Sequence, residues 1–307
     1  TGVASSHGTY DATVKPVTHL VAVLGRGVID DPDEPVLSAF DMGLTRGDGC
    51  FDAMRIEVTA DGAVHVDHLD AHLDRLVRSA RALDLPPVDV AAWRQLVAEA
   101  LEVWRHPGEA VLRLLLSRGS EWATPQNPTG VLTIAPLPAS SIAQRAGISV
   151  ATLSLGRSAE FRGETGWLLG GVKTLSYAVN MAAAREAARR GADDALFVST
   201  EGVALEGPRS ALIWRVDDRL ATTQVDGTGI LASVTQSSIF AEATRDGVDT
   251  RHELIEAATL PATDGAWLVS SGRLVAPIRS LDGVELPLDP SWTKRLASWA
   301  TASTHGL

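Results

Sequence analysis

The most informative segment of the sequence is Leu168-Leu169-Gly170-Gly171-Val172-Lys173-Thr174-Leu175, in which one lysine stands among uncharged residues. The chain has 27 basic residues, of which only Lys15, Lys173 and Lys294 are lysines. Arginine cannot replace lysine in chemistry that needs a free amine, because its guanidinium stays protonated. Burial among uncharged neighbours would lower the pKa of Lys173 and favour the nucleophilic amine. Lys173 is therefore a candidate nucleophile, with an ordinary structural lysine as the alternative.

The composition excludes several classes of function. The chain has 307 residues, 45% of them hydrophobic, and a net charge of −11. This acidic balance argues against a nucleic acid or an anionic membrane as partner. No apolar run has the length that a membrane span needs. The single cysteine, Cys50, allows no intramolecular disulfide and fits a cytoplasmic protein. The histidine spacing indicates no metal site, so we expect no metal cofactor.

Hydrophobic periodicity predicts a mixture of strands and helices. Apolar or alternating runs predict strands at 20–24, 50–58, 111–116, 131–135, 148–153, 267–270 and 274–278. Helical spacing predicts helices at 69–83, 90–103 and 177–190, and another that begins near Ser233. We also expect a hairpin of two strands, 195–199 and 203–214, that turns at Glu201-Gly202.

The best domain boundary is the run Pro136-Leu137-Pro138-Ala139-Ser140-Ser141, because proline and serine are typical of linkers. We therefore expect a small N-terminal domain at 1–135, a linker at 136–147 and a larger C-terminal domain at 148–307. Strands and helices do not alternate strictly, so the predicted fold class is α/β or α+β in two domains.

Two segments could bind an anion. Arg75 lies on the flank of the predicted helix beside His72, where it could aim a planar fork at a phosphate or pair with Asp74 or Asp70 at the surface. Ser233 and Gln236 have the spacing of a capping box, and the backbone N–H groups of the residues after Ser233 would then face an anion. An ordinary helix cap is the alternative reading of this second segment.

Glu206 ends an apolar strand just before Gly207-Pro208. It is either a surface turn residue or a buried carboxylate, and a buried carboxylate needs a partner. A protonated pyridine nitrogen would be such a partner, and the ion pair would keep the ring an electron sink.

Several motifs in chain order resemble the class IV, or fold type IV, pyridoxal-phosphate family, whose members include 4-amino-4-deoxychorismate lyase and the D-amino-acid and branched-chain aminotransferases. The resemblance extends from Gly43 to about Pro277. Its motifs are Gly43-Leu44-Thr45-Arg46-Gly47-Asp48-Gly49-Cys50-Phe51, His72-Leu73-Asp74-Arg75-Leu76, Ser117-Arg118-Gly119, Val172-Lys173-Thr174-Leu175-Ser176-Tyr177, Glu206-Gly207 and Ile230-Leu231-Ala232-Ser233-Val234-Thr235. The chain departs from the pattern at Ser176, Pro208-Arg209, Ala211 and Ser233, where the family usually has Asn, small residues, Asn and Gly.

The resemblance implies the D-amino-acid aminotransferase-like fold, pyridoxal 5′-phosphate as cofactor, and a homodimer whose partner completes the site. It implies that Lys173 forms the Schiff base and that Glu206 meets the pyridine nitrogen. Arg75, Ser233, Val234 and Thr235 would bind the phosphate. We expect Ser270 and Ser271 beside the cofactor, and Phe51, Arg55 and Arg273 beside the substrate.

Two activities remain open. The form of Gly47-Asp48-Gly49-Cys50-Phe51 favours a lyase that converts 4-amino-4-deoxychorismate into 4-aminobenzoate and pyruvate for folate synthesis, with Arg55 meeting a substrate carboxylate. The alternative is an aminotransferase for D-amino acids or branched-chain amino acids, possible as a second activity of the same site. Ser120-Glu121-Trp122-Ala123-Thr124 lacks the R-x-H pattern of the D-amino-acid enzymes. An amine transaminase is a further alternative.

Overall fold

The protein is described by a computed structural model that covers residues 18–124, 127–160, 166–302 and 304–306. One antiparallel sheet and one mixed sheet form its framework. The strands are β1 (Leu20–Val23), β2 (Gly27–Ile29), β3 (Gly49–Val58), β4 (Val64–Asp67), β5 (Gly108–Ser117), β6 (Thr129–Pro136), β7 (Ile148–Ser154), β8 (Asp194–Val198), β9 (Glu206–Gly207), β10 (Ser210–Val216), β11 (Arg219–Thr223), β12 (Asp249–Glu253), β13 (Gly265–Ser270), β14 (Leu274–Leu281), β15 (Val284–Glu285) and β16 (Thr304–Gly306). The helices are α1 (Met42–Arg46), α2 (Leu69–Ala82), α3 (Val90–Val103), α4 (Ala139–Ala143), α5 (Ala178–Arg189), α6 (Val234–Arg245) and α7 (Pro290–Ala300).

The first sheet has the order β16-β4-β3-β5-β6-β1-β2, and each neighbouring pair is antiparallel. Alternate residues of β3, such as Met54 and Ile56, are fully buried against the apolar faces of α2 and α3. This burial follows from the two-residue period of a strand and the helical period of the facing leucines. The opposite face of β3 carries Phe51 and Ala53, which line a cavity.

The second sheet has the order β12-β11-β10-β13-β14-β7-β8, with β9 and β15 at its margins. Strand β7 pairs in parallel with β8, and β11 pairs in parallel with β12. In each pair an α-helix connects the two strands. One core cluster on this sheet surrounds Leu212 and Trp214, and another includes Ile213 and Trp267 beside α6 and α7.

The chain passes from one sheet to the other within the predicted linker, where α4 and a short 3₁₀ turn lie between β6 and β7. All strands of the first sheet except β16 precede this passage. The last strand returns from the C-terminus and pairs with β4, so the final residues join the first sheet rather than the second. The division into two domains at this linker remains our proposal.

The predicted hairpin forms only in part. Ser199 donates to the carbonyl of Val203, so the chain turns where the Gly202 signal predicts. The second arm is not one strand, however, because Pro208-Arg209 separates β9 from β10. β10 then pairs with β11 and β13 rather than with β8. Proline has no N–H for a ladder, which explains the interruption.

Candidate active site

A cavity of about 620 Å³ opens between the two sheets. It brings together most of the residues that the sequence singled out. The cavity is lined by Phe51, Arg75, Lys173, Glu206, Ser233, Thr235, Ser270, Ser271 and Arg273. The residues that do not line it are Arg55 and Val234.

The backbone around Lys173 is hydrogen-bonded to the start of β3. The carbonyl of Lys173 accepts from the N–H of Phe51 at 3.0 Å, and the N–H of Leu175 donates to the carbonyl of Gly49 at 2.9 Å. A Cβ at Gly49 would lie 2.5 Å from the Leu116 carbonyl oxygen and 2.7 Å from Leu175. The Gly-Asp-Gly motif is therefore required for the lysine segment to lie close to the strand.

The amine of Lys173 lies beside two aromatic rings that contact each other edge to face. Its Nζ is 4.4 Å from the centroid of the Phe51 ring and 5.7 Å from that of Tyr177. The hydroxyl of Tyr177 donates to the Pro208 carbonyl at 2.9 Å, which fixes the second ring. Burial, and then the positive charge of Arg75, lower the pKa of Lys173 to about 8. About a tenth of this amine is therefore unprotonated and nucleophilic at pH 7, far more than for an ordinary lysine.

Glu206, the first residue of β9, faces the same cavity. Burial raises the pKa of its carboxyl group to about 7, although the backbone N–H of Leu231 donates to it at 3.2 Å. Glu206 and Lys173 interact electrostatically across the cavity, so the predicted carboxylate and amine lie in one site. A cation placed beside Glu206 would stabilise its ionised form.

Arg75 is oriented by a buried carboxylate that the sequence analysis did not single out. Its Nε and Nη2 each donate to Asp52 at 2.8 Å, and its Nη1 donates to the Ala232 carbonyl at 3.0 Å. Burial would raise the pKa of Asp52, but the charges and hydrogen bonds of Arg75 and His72 hold it well below its usual range. Arg75 is thus neither a surface residue nor paired with Asp70 or Asp74, and its fork is fixed at the cavity wall.

The start of α6 provides backbone donors beside Arg75. Ser233 is the N-cap, and its side chain accepts from the N–H of Gln236, as the capping-box spacing predicts. Val234 and Thr235 occupy the first two helical positions, and their N–H groups have no acceptor among the described residues. Such free donors at the positive end of a helix favour an anion. The hydroxyls of Thr235 and Ser271, 3.1 Å apart, lie beside them.

Arg55 is not placed to bind a substrate, and this prediction is corrected. Its side chain is 7% exposed and forms ion pairs with Glu57, Asp67 and Glu109. Strand alternation does place Arg55 on the face of Phe51, but three carboxylates surround the guanidinium and neutralise its charge. Arg55 is a structural residue of the first sheet.

Arg273 lines the cavity but is already paired. It donates to Asp194 at 2.7 Å, to Gln144 at 3.1 Å and to Ser210 at 3.2 Å. Its buried Nε has no hydrogen-bond partner among the described residues. Three of the five N–H donors of Arg273 are thus used within the protein, and Arg273 shapes the wall between the two sheets.

Two arginines that sequence reasoning missed are better placed for an anionic substrate. Arg113 on β5 and Arg209 after β9 both line the cavity, and neither has a hydrogen-bond or ion-pair partner in the described part of the chain. Partial burial, and then the charge of Arg209, lower the pKa of Arg113. Two like charges that face each other without a carboxylate are unfavourable unless an anion joins them. The departure from small residues at Pro208-Arg209 was the only sequence signal.

These residues fit pyridoxal phosphate. Arg75, Thr235 and the start of α6 form an anion cradle in one part of the cavity. The carboxyl group of Glu206, whose ionised form a cation would stabilise, lies in another part. The amine of Lys173, which can lose its proton, lies in the same cavity. This donor set matches the phosphate, pyridine nitrogen and aldehyde of the cofactor. Among the described residues, no group of His, Cys, Asp and Glu side chains could hold a metal ion. No helix in those ranges is long and apolar enough to cross a membrane.

Comparisons with known proteins agree with this site. The family model described as amino-transferase class IV matches residues 49–281. A bifunctional aminodeoxychorismate lyase / D-amino acid transaminase of Mycobacterium tuberculosis is 40% identical over 273 residues, which cover 86% of this chain and 92% of the relative. An aminodeoxychorismate lyase of Bacillus subtilis is 26% identical over 262 residues, 82% of this chain and 83% of the relative.

Solved structures are similar over almost the whole chain. The PLP-bound form of a hypothetical aminotransferase from Mycobacterium tuberculosis has a TM-score of 0.86 and 37% identity, covering 93% of this chain and 99% of that one. A fold IV transaminase from Curtobacterium pusillum has a TM-score of 0.84 and 38% identity, covering 93% and 98%.

Proposed function

We propose that this protein converts 4-amino-4-deoxychorismate into 4-aminobenzoate and pyruvate in folate synthesis. The chain belongs to the class IV aminotransferase family and is a pyridoxal-phosphate-dependent enzyme. The α/β fold expected from the motifs is confirmed by the fold type IV neighbours. The observation that carries the choice of substrate is the pair of unpartnered arginines, Arg113 and Arg209, in the cavity wall. The names of two curated relatives point to the same reaction.

When bound, the cofactor supplies an aldehyde that joins an amine and a protonated pyridine ring that withdraws electrons from the substrate. Arg75, Thr235 and the N–H groups of Val234 and Thr235 would hold its phosphate. Glu206 would face the ring nitrogen, and a cation there offsets the burial that raises the pKa of this carboxyl group. The rings of Phe51 and Tyr177 cover one side of the amine of Lys173.

Lys173 has two roles in this proposal. Its Nζ attaches the cofactor, and after a substrate amine has displaced it, the free Nζ accepts and returns protons. A pKa of about 8 suits both directions of transfer, because neither protonation state is rare near neutral pH. Burial is the main cause of this value, so the apolar wall tunes the amine for catalysis.

Arg113 and Arg209 would bind the carboxylates of the substrate. 4-Amino-4-deoxychorismate carries two carboxylates, one of which leaves with each product. A guanidinium binds a carboxylate through paired N–H donors, and an arginine without an internal carboxylate is available for this contact. Arg113 and Arg209 therefore take the role that the sequence analysis gave to Arg55.

The proposal is tested by supplying 4-amino-4-deoxychorismate to the purified enzyme and measuring 4-aminobenzoate and pyruvate together. We expect equimolar formation of both products, and the Lys173→Ala variant as control should form neither. A parallel reaction with D-alanine and 2-oxoglutarate tests transamination. Product from the second reaction alone would show that the lyase assignment is wrong.

D-Amino-acid transamination is the second candidate, as an activity of the same site. The Mycobacterium tuberculosis relative is named for both activities. Lys173 and Glu206 serve either reaction, because both begin with proton removal beside the substrate nitrogen. Branched-chain or amine substrates are the remaining options, and a putative branched-chain aminotransferase of Methanocaldococcus jannaschii is 27% identical over 83% of this chain.

We also propose that the enzyme is a cytoplasmic homodimer. Trp167 and Val179 near the cavity are 77% and 63% exposed, and Trp122 and Leu44 are 75% and 67% exposed. Exposed apolar side chains of this size are typical of a protein interface. Sedimentation equilibrium should give twice the chain mass, and a monomer at micromolar concentration would contradict the dimer. Fractionation of the source cells tests the location.

A further inference from the structure

A chain of hydrogen bonds leads from the interior of the first sheet to the anion cradle, which is formed by Arg75, Thr235 and the start of α6. Asp52 Oδ1 lies 2.7 Å from Nδ1 of His72, and Nε2 of His72 lies 3.2 Å from Oγ of Ser271. The hydroxyls of Ser271 and Thr235 are 3.1 Å apart. Asp52 and His72 are fully buried, whereas Ser271 and Thr235 line the cavity. The cofactor phosphate would therefore meet the open end of this chain.

The ionised Asp52 decides where the hydrogen atoms lie. Arg75 and His72 keep this carboxylate ionised, and a carboxylate only accepts hydrogen bonds, so Nδ1 of His72 must carry a hydrogen. Burial lowers the pKa of His72, which favours the neutral ring before an anion binds. Nε2 is then an acceptor. Ser271 donates to Nε2, and Thr235 donates to Ser271.

In this arrangement Thr235 presents only lone pairs to the cavity. A phosphate dianion against Thr235 also has only lone pairs. Three contacts then lie in a row, from His72 to Ser271, from Ser271 to Thr235, and from Thr235 to the anion. Each needs one hydrogen, but the two hydroxyls supply only two. All three contacts are hydrogen bonds only if the third hydrogen stands on Nε2 of His72.

We propose that when a dianion binds in the anion cradle, His72 takes up one proton. The protonated His72 then donates to Ser271, Ser271 donates to Thr235, and Thr235 donates to the anion. His72 is thus a positioning residue that acts on the cofactor through Ser271 and Thr235. The imidazolium would be flanked by the Asp52 carboxylate and would face the new anion. This inference concerns the cofactor phosphate and holds whichever amino substrate the enzyme uses.

Other charged groups near His72 bear on the test. Asp52 on β3 favours the imidazolium, whereas Arg75 and His68 on α2 disfavour it. Across the cavity, Lys173 and Glu206 also titrate near neutral pH and would respond to an anion. The comparison must therefore be between proteins that share Lys173 and Glu206 and differ only in the chain from His72 to Thr235.

The experiment uses sulfate as the probe, because sulfate has the shape and charge of a phosphate dianion but carries no proton near neutral pH. Sulfate is titrated into the full chain freed of cofactor, by calorimetry in two buffers of different ionisation enthalpy. The difference in heat gives the number of protons taken up. The matched variants are His72→Gln, whose amide can donate to Ser271 at every pH, and Ser271→Ala, which cuts the chain but leaves the pair of Asp52 and His72.

We expect the parent protein to take up about one proton more per sulfate than either variant. Above about pH 6.5, its Kd for sulfate should rise about tenfold more per pH unit than theirs. Equal proton uptake and equal pH dependence in the parent and the variants would overturn the proposal. If His72→Gln does not fold, Ser271→Ala alone decides. Neither readout depends on catalysis, so the result is independent of the proposed reaction.

Discussion

Replacement of Asp52 by Asn should destabilise the protein by about 3–5 kcal/mol, because it removes the charge that compensates a buried guanidinium. The side chains of Asp52 and Arg75 are 0% and 7% exposed. Two hydrogen bonds of 2.8 Å join them, and a third of 2.7 Å joins Asp52 to His72. Asn keeps one acceptor but no charge, so Arg75 becomes a buried cation without a counterion. For a chain of 307 residues, the loss corresponds to a fall in Tm of about 5–8 °C.

The assay is thermal and urea unfolding of the cofactor-free chain, with Asp249→Asn as the matched control. Asp249 and Arg251 form an ion pair of 3.0 Å, but their side chains are 52% and 60% exposed. Loss of an exposed pair costs about 0–1 kcal/mol. Equal unfolding midpoints for the two variants at neutral pH would refute the reasoning.

The same variant predicts a dependence on pH. The folded pKa of Asp52 lies below its unfolded value, so the stability it contributes is present above the unfolded pKa of about 3.9 and is lost as the pH falls through the folded pKa. The difference between the parent and Asp52→Asn should therefore be constant near neutrality and shrink only in acid.

Three further predictions concern the cavity. Lys173→Arg should fail, as completely as Lys173→Ala, to keep the cofactor attached after borohydride reduction and unfolding, because a guanidinium cannot form the covalent link; attachment in either variant would contradict the assignment of Lys173. Arg209→Ala should raise the KM for 4-amino-4-deoxychorismate about tenfold or more while changing the KM for D-alanine much less, because D-alanine carries only one carboxylate; parallel changes for both substrates would count against the role of Arg209. Burial raises the pKa of Glu206 to about 7, so the cofactor-free chain should lose up to about 3 kcal/mol of stability as the pH rises from the unfolded value of about 4.3 through 7. Glu206→Gln should remove this slope in urea unfolding, and an unchanged slope would show that Glu206 is not its source.

Local patterns predicted most of the regular structure. The predicted helix at 90–103 has the observed bounds of α3, and Ser233 is the N-cap of α6. Strands such as β3 and β5 were predicted to within a few residues, because both have one apolar face packed on α2 and α3. The hairpin prediction was wrong in its second arm, because β10 pairs with β11 across the next turn and with the remote strand β13, not with β8.

The chemical identity of the site followed from residue types, whereas the environment of each residue did not. Arg55 and Arg113 are both arginines on strands of the first sheet, and strand alternation alone cannot distinguish them. Glu109 and Asp67 pair with Arg55, while Arg113 has no such partner among the described residues. Ion pairing between residues far apart in sequence is a property of the packed sheet.

The sequence by itself determined that Lys173 is the one lysine in a stretch of uncharged residues, that Glu206 and Arg75 stand in motifs that resemble those of pyridoxal-phosphate enzymes, and that helix α6 begins at the Ser233 cap. These features depend on residue type and short-range spacing. Only the tertiary structure decided that Asp52 orients Arg75 and His72, that Arg113 and Arg209 face the same cavity, and that burial shifts the pKa of Lys173 and Glu206 towards neutrality. The reason is that charge, burial and hydrogen-bond direction depend on distances between strands and helices that are remote in the chain.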